Sequence, residues 1–339
     1  MIPPEVVAAY GWADAELAPL AGGLINATYV VKIGGAPVAV LQRLHKIFAP
    51  AVNEDLDAVT RHLAAKGLVT PRLVRTVAGA VSVGPWRALT WIDGVTVHRI
   101  PDPRWAEAGG ELVGRFHRAV ADLHHDYRFT RAGVHDTAAH LARLAQVMAG
   151  AGSSRMMTEG ADAEAIDLGR EILAASAALP ALPVGPQRHC HGDLKISNLL
   201  FSSEPRGIAL VDLDTLGLGT MAFELGDALR SWCNPRGEDA GSVAFELPIF
   251  AAAMRGFRAV ADAIVTADER RAVVIGLETV CLELAARFAV DVVTDDYFGW
   301  DPARFPSRRA HNLVRARGQL ALGLAVRAAR EDALAIALA

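Results

Sequence analysis

Asp193, Asn198 and Asp212 are the residues of this chain whose types and spacing could do chemistry together. The first two lie five apart in HGDLKISN (191–198), and the third follows an apolar run in LVDLDT (210–215). A buried carboxylate without a partner is costly, so three acceptor side chains aimed at one place imply a cation among them. Phosphoryl transfer from ATP uses such a set: a loop Asp orients and deprotonates the acceptor hydroxyl, and a downstream Asn and a second Asp hold Mg2+. Hard oxygen donors suit Mg2+, which takes a few protein ligands and fills its octahedron with phosphate oxygens and water. Lys195 is placed to offset charge on the migrating phosphoryl group. Asp214, two residues past Asp212, falls on the same side of an extended segment; its expected contact is a second metal or the acceptor.

Taken alone, either Asp reads equally well as a turn residue capping local backbone. Both in order, with the right internal spacing and short strands between them, favour the catalytic reading. The Asp–Asn interval equals that of HRD-x-x-x-x-N in protein kinases, with Gly192 in place of the Arg.

The surrounding elements must position these groups. ATYVVKI (27–33), Gly34-Gly35 and APVAVLQRL (36–44) predict a hairpin with a tight turn. NEDLDAVTRHLAAKG (53–67) predicts a helix with Asn53 as N-cap and Gly67 as its stop, and VSVGPWRALTWIDG (81–94) a second strand pair. From Arg104 the periodicity is helical: 105–125, 136–150 and 161–178, then 242–265, 268–293 and 307–335. Short strands return at 199–201 and 208–211. The organisation predicted is α+β, with a small β-rich lobe over residues 1–92 and a larger helical lobe over 93–339, the motif on loops between short strands.

The upstream lobe is then where ATP binds. Gly22, Gly23 and Asn26 in AGGLINATYVV form a turn entering a strand, where backbone N–H groups can approach phosphates. Arg43 is the basic residue in the second hairpin strand and Glu54, on the next helix, its expected partner, a pair that clamps phosphates; Lys32 is the competing cation. Thr90, Trp91 and Ile92 fall where an adenine-binding hinge would lie.

Composition excludes other classes. A net charge of −4 gives no electrostatic case for nucleic acid or an anionic membrane. MIPPEVVAAYGW lacks the features of a signal peptide, and no apolar run is long enough to span a bilayer. Cys190, Cys233 and Cys281 are odd in number and far apart, which argues against a disulfide framework or zinc site and for a reducing cytoplasm.

HGDLKISNLLF with LVDLDTLGLGTMAFELGDALR resembles the aminoglycoside phosphotransferase/choline kinase superfamily, small-molecule kinases with a protein-kinase-like two-lobe fold. LINATYVV, VLQRLHKIFAPAVNEDLDAVTRHL, GRFHRAVADLHH with HDTAAHLARL, and RFAVDVVTDDYFGW with HNLVRARGQL look like its N-acetylhexosamine 1-kinase branch, over about residues 22–320. The resemblance implies a cytoplasmic kinase using ATP and Mg2+ to phosphorylate the anomeric hydroxyl of a hexosamine or related sugar. It carries over Asp193 as base, Asn198 and Asp212 as metal ligands, and Arg43 and Glu54 as the phosphate clamp. One departure is Gly192, where the hexosamine branch has a bulkier polar residue and the wider superfamily has Gly. Homoserine, choline, an aminoglycoside or N-acetylmuramate are the alternative acceptors, and a catalytically inactive nucleotide-binding regulator is the reading from another class.

In this superfamily C-terminal helices line the acceptor site, which makes Arg287, Asp291, Tyr297 and Trp300 the acceptor candidates beside Asp193 and Asp214. Arg287 and Asp291 are also spaced to form an i,i+4 pair. The basic residues of 304–317 read as a solvated face, His117, His124 and His125 as ordinary helix residues, and Cys190 as a small buried side chain.

Overall fold

The computed structural model describes residues 2–20, 26–131, 133–151 and 161–339. The chain opens with α1 (Pro4–Ala9), β1 (Glu16–Pro19), β2 (Ala27–Ile33) and β3 (Ala36–Arg43). Gly34 and Gly35 both have positive φ (58° and 83°), as the tight hairpin turn requires. α2 (Val52–Ala65), β4 (Leu73–Val74) and β5 (Trp86–Thr90) complete an antiparallel sheet of order β1-β2-β3-β5-β4. One face of that sheet, with Val31, Leu41 and Ala88, buries Val6, Tyr10 and Trp12 of the first turn of chain. On the other, α2 buries Leu56, Val59 and Leu63 in a core shared with the helical lobe.

β6 (Val95–Thr96) already belongs to the helical lobe, because it pairs with β8 (Leu199–Phe201) rather than with β5. The second strand pair expected over 81–94 is therefore β5 alone, with a single Val83–Trp86 bridge before it. Between β6 and β8 run α3 (Pro103–Val120), α4 (Thr137–Ala151), α5 (Ala161–Ala177) and β7 (Arg188–Cys190). β9 (Gly207–Leu210), β10 (Gly217–Gly219), α6 (Met221–Trp232), α7 (Leu247–Ala261), α8 (Ala267–Thr294), α9 (Arg308–Ala328) and α10 (Arg330–Leu338) follow. The single helix expected over 307–335 breaks at Ala329, and the one over 242–265 begins only at Leu247. Asn53 is not the cap of α2. That position is Ala51, and Asn53 lies buried inside the first turn.

Two helix contacts set the frame of this lobe. α3 and α7 approach so closely that a Cβ on Gly110 would lie 2.1 Å from the Ala253 carbonyl oxygen, and one on Gly256 1.9 Å from that of Glu107. α8 is buried along most of its length and starts on a capping box, Thr266 with Glu269. Among the described residues no helix is long and apolar enough to cross a membrane. The basic stretch 304–317 is not a free face: Arg315 and His311 meet Asp239 at 2.6 and 2.9 Å, with Arg304 at 3.6 Å.

Candidate active site

The HGDLKISN segment is a loop between β7 and β8, and buried groups hold it from below. Glu224, on the first turn of α6, accepts the backbone N–H groups of His191 (2.8 Å) and Gly192 (3.0 Å). His117, on α3, lies 3.2 Å from the same carboxylate, and both side chains are only 1% exposed. Burial works against the charge of Glu224, but the bond to His117, the His117 charge and the His191 backbone N–H outweigh it and hold the acid below its ordinary value. His191 accepts the Asp193 N–H on Nδ1 (3.3 Å), so its Nε2 is the atom that donates to the Val211 carbonyl at 3.0 Å. That bond ties the catalytic loop to the Asp212 loop. Gly192 has φ +78°, and a Cβ there would fall 2.5 Å from the Thr215 carbonyl oxygen. Only glycine fits both conditions.

Three of the expected side chains meet above this floor. Asp193 Oδ2 accepts from Lys195 Nζ (2.6 Å) and from Asn198 Nδ2 (3.0 Å), and the same Asn198 nitrogen donates to the Asp193 carbonyl at 2.8 Å. Among the described residues no hydrogen bond goes to Asp193 Oδ1. Lys195 Nζ stands 4.0 Å from Asp212 Oδ2, between the two acids. Burial pulls its pKa down, but Asp193 and then Asp212 more than compensate, so the ammonium is retained.

Asp212 sits in the left-handed region (φ 63°, ψ 56°), unusual for a residue with a side chain. Burial first, and the Asp214 charge second, push its pKa up against the pull of Lys195. Such a carboxylate gains from a cation. No cluster of three His, Cys, Asp or Glu side chains fit for a metal occurs among the described residues. The donors present are one carboxylate and, since Nδ2 of Asn198 is committed to Asp193, the amide oxygen of Asn198. One or two protein oxygens, with phosphate and water supplying the rest, is the donor set Mg2+ takes in nucleotide sites.

Asp214 stands apart from this group. It is 1% exposed, its Oδ1 lies 2.5 Å from Arg87 Nη2, and its Oδ2 accepts from Asn26 Nδ2 at 2.8 Å. These contacts tie it to the sheet lobe, not to a metal or acceptor. The Arg43–Glu54 clamp is not formed either. Arg43 is exposed at the end of β3, and Glu54 pairs with Arg128 at 3.0 Å. Arg87 of β5 is the buried cation of that lobe, bonded to Gln42 of β3 and Asn53 of α2. At the expected hinge, Thr90 bonds Arg72 through N–H and hydroxyl, Trp91 Nε1 donates to Asp93 at 2.8 Å, and Ile92 is half-buried. Gly22 and Gly23 lie outside the described residues.

Residues 16–260 match the model of the family described as APH, phosphotransferase enzyme family. The chain belongs to this family. Solved structures of the same fold include an aminoglycoside phosphotransferase from Alicyclobacillus acidocaldarius, at TM-score 0.58 and 20% identity, covering 98% of this chain and 97% of that one. A choline/ethanolamine kinase family protein from Mesorhizobium loti matches at TM-score 0.57 and 19% identity, with the same coverage of each chain. The amicoumacin kinase hAmiN, solved with AMP-PNP, Ca2+ and Ami, matches at TM-score 0.58 and 13% identity, over 92% of this chain and 89% of that one.

The HGDLKISN loop borders a cavity of about 660 Å3. Its walls are Gly192 and Leu194, the segment 215–220, Phe223 and Asp227 of α6, Thr279 of α8, and the loop before α4 with His135 and Thr137. His135 stacks on Phe223 with ring centroids 4.8 Å apart and lies 3.2 Å from Glu283, which also accepts from the Thr137 hydroxyl at 2.6 Å. Burial opposes the charge of Asp227, but Arg230 and His135 outweigh it and keep its pKa low.

The acceptor candidates from the sequence do not line this cavity. Arg287 lies 3.9 Å from Glu283 and over the rings of Tyr297 and Phe298. Asp291, 1% exposed, accepts the N–H groups of Asp296, Tyr297 and Phe298 and the Asn312 amide, so it shapes the turn after α8 instead of pairing with Arg287. Tyr297 is exposed and Trp300 half-buried. Sequence reasoning passed over Glu224, Asp227 and Arg87, and read His117, which lies against Glu224, as an ordinary helix residue. Only the ELGD run after the motif carried a signal for the first two.

Proposed function

We propose that this phosphotransferase is an ATP-dependent small-molecule kinase whose acceptor is a sugar hydroxyl, the anomeric hydroxyl of an N-acetylhexosamine or a close relative. The observation that carries the reading is Asp193: one oxygen is fixed by Lys195 and Asn198 while no described donor reaches the other, on a loop whose Gly192 and Leu194 wall a cavity of the size that holds a small molecule. Asp193 Oδ1 takes the acceptor proton, and an anomeric hydroxyl is acidic enough for an ordinary carboxylate base. Lys195 keeps a positive charge on the other oxygen, Oδ2, and offsets the charge of the phosphoryl group in flight. Asn198 fixes the rotamer of Asp193 through its amide nitrogen and presents its amide oxygen, with Asp212, to Mg2+. The metal, when bound with ATP, supplies charge neutralisation on the phosphates. Arg43, Glu54, Asn26 and the segment 90–92 belong to the nucleotide side of the cleft in this reading, although Arg43 and Glu54 act separately there.

The cavity supports a neutral, hydroxyl-bearing acceptor. Two of its three carboxylates are buried with partners: Asp227 has Arg230, and Glu224 has His117 and two backbone N–H groups; the third, Asp136, is exposed and accepts the Ala139 N–H on one oxygen. A polycation would find no free row of acids there. The test is ADP release with Mg·ATP against GlcNAc, GalNAc, N-acetylmuramate, homoserine, choline and kanamycin. Turnover of an N-acetylated sugar, lost when its C1 hydroxyl is capped as a methyl glycoside, is the expected result. Turnover of a non-sugar alone would discard the sugar reading and keep the Asp193 chemistry.

A further inference from the structure

Arg87 is the bulkiest of the fully buried side chains, a cation with 1% exposure in the middle of the small lobe. Its guanidinium donates to Gln42 Oε1 through Nε (3.1 Å) and Nη2 (2.8 Å), to Asn53 Oδ1 through Nη1 (3.3 Å), and meets Asp214 Oδ1 at 2.5 Å. Asp214 takes Asn26 Nδ2 on its other oxygen, and Asn26 Oδ1 accepts the His45 N–H at 2.9 Å. One buried carboxylate from the large lobe thus gathers β5, the entrance of β2, and, through Arg87, β3 and α2.

The position of Asp214 gives this network a consequence. It lies two residues beyond Asp212, whose left-handed backbone is strained for an L-residue and persists only if its neighbours hold it. On the other side the same turn is held to the catalytic loop, by Thr215 Oγ1 donating to the His191 carbonyl at 2.8 Å and by the Val211 N–H donating to the Asn198 carbonyl at 2.9 Å. Asp212 is therefore suspended between two anchors, and Asp214 is the only one of these groups that reaches the sheet lobe. A buried ion pair of this kind contributes little net stability over an apolar filling of the same volume. Its geometry is what an apolar filling could not reproduce.

We propose that Arg87 is a positioning residue for phosphoryl transfer: through Asp214 it docks the nucleotide lobe on the loop that carries Asp212 and holds that carboxylate in the conformation that receives the metal. The inference rests on the kinase reading of the same site. Arg87 touches no reacting atom. It reaches α2 from β5, through Asn53, whereas the cation expected to meet that helix at Glu54 was Arg43 of β3. Gln42, on β3, is uncharged and serves as an acceptor for Arg87.

The test is calorimetric binding of AMP-PNP to the full chain, with Mg2+ and with EDTA, alongside thermal melts. The variants are Arg87→Lys, Asp214→Asn and the double change Arg87→Met with Asp214→Leu, which fills the space without burying an unpaired charge. Wild type is expected to bind more tightly with Mg2+. Asp214→Asn and the double variant should lose about 10- to 100-fold of that metal-dependent gain, the usual size for a partner one shell from a metal ligand, while metal-free affinity holds. Their ADP release should recover in part as Mg2+ is raised, and Arg87→Lys should fall between. A folded double variant with the wild-type metal gain and Mg2+ dependence would make the pair purely structural and overturn the inference alone. Wild type that binds no nucleotide would overturn the kinase reading, and the inference with it.

Discussion

Glu224 on α6 and Gly192 on the catalytic loop are joined by a 3.0 Å bond from the glycine N–H to the second oxygen of a carboxylate whose first oxygen holds His191. One buried acid thus sets the height of the loop that presents Asp193. Leaving the buried His191 N–H without an acceptor costs about 1–3 kcal/mol, and the more open Gly192 N–H loses its partner as well. Glu224→Ala is therefore expected to lower the melting temperature and to cut kcat more than the acceptor KM. Thermal melts and steady-state kinetics check this, and an unchanged kcat in the folded variant would make the bond idle.

Asp193→Asn removes the proposed base but keeps a side chain of the same shape, able to bond Asn198. Turnover should fall by about 10²- to 10⁴-fold, the usual contribution of a positioned general base. Nucleotide binding should be retained, since among the described residues no hydrogen bond or ion pair runs from Asp193 to the sheet lobe. Isothermal titration beside single-turnover kinetics separates the two, and near-normal turnover would reassign the base.

Gly256 meets α3 at a distance no Cβ tolerates, 1.9 Å from the Glu107 carbonyl oxygen. Gly256→Ala must therefore push α7 away from α3, an overpacking that costs about 1–3 kcal/mol or more. Denaturant unfolding should show the loss, while kcat per folded molecule stays near wild type because the contact is remote from Asp193.

His189 and His311 give the protein an acid-side weakness. His189 accepts from the Tyr127 hydroxyl on Nδ1 (3.0 Å) and donates from Nε2 to the Leu123 carbonyl (2.9 Å), a fully used neutral ring. Burial, only partly opposed by that carbonyl, lowers its pKa, and burial does the same for His311 against the pull of Asp239. The unfolded chain then binds more protons than the folded one as pH falls below 6.5. Stability is present above that value and lost on acidification through the folded pKa values. Melting temperatures measured from neutral to mildly acidic pH should fall, and His189→Gln should flatten the slope.

The two-lobe fold was legible because its signals are local. The hairpin turn needs two glycines of positive φ, the helical periodicity is strong, and Asp193, Lys195 and Asn198 sit on one loop. What was not legible depends on pairings remote in sequence. Arg87 lies 127 residues from Asp214, and nothing in the run WRALT marks its Arg as buried. Asp214 read as a metal ligand because its spacing from Asp212 allowed it; the turn Leu213–Thr215 instead rotates it toward the sheet. Arg43 read as the strand cation because a basic residue in an apolar alternation attracts attention, yet at the last position of β3 it faces solvent. Asp291 looked free to pair along its helix, and the backbone of the following turn took both its oxygens.

The three cysteines are all buried, and burial pushes every thiol up, Cys281 to about 12 and the other two well above their ordinary value. In the folded state they are poor nucleophiles, so the native surface is blank to maleimide chemistry. A single cysteine placed at Val77 on the sheet lobe and another at Val184 on the helical lobe, both highly exposed, would take dyes there and leave the native thiols untouched. The wild-type background thus already serves as the cysteine-light scaffold that a fluorescence ruler across the cleft requires.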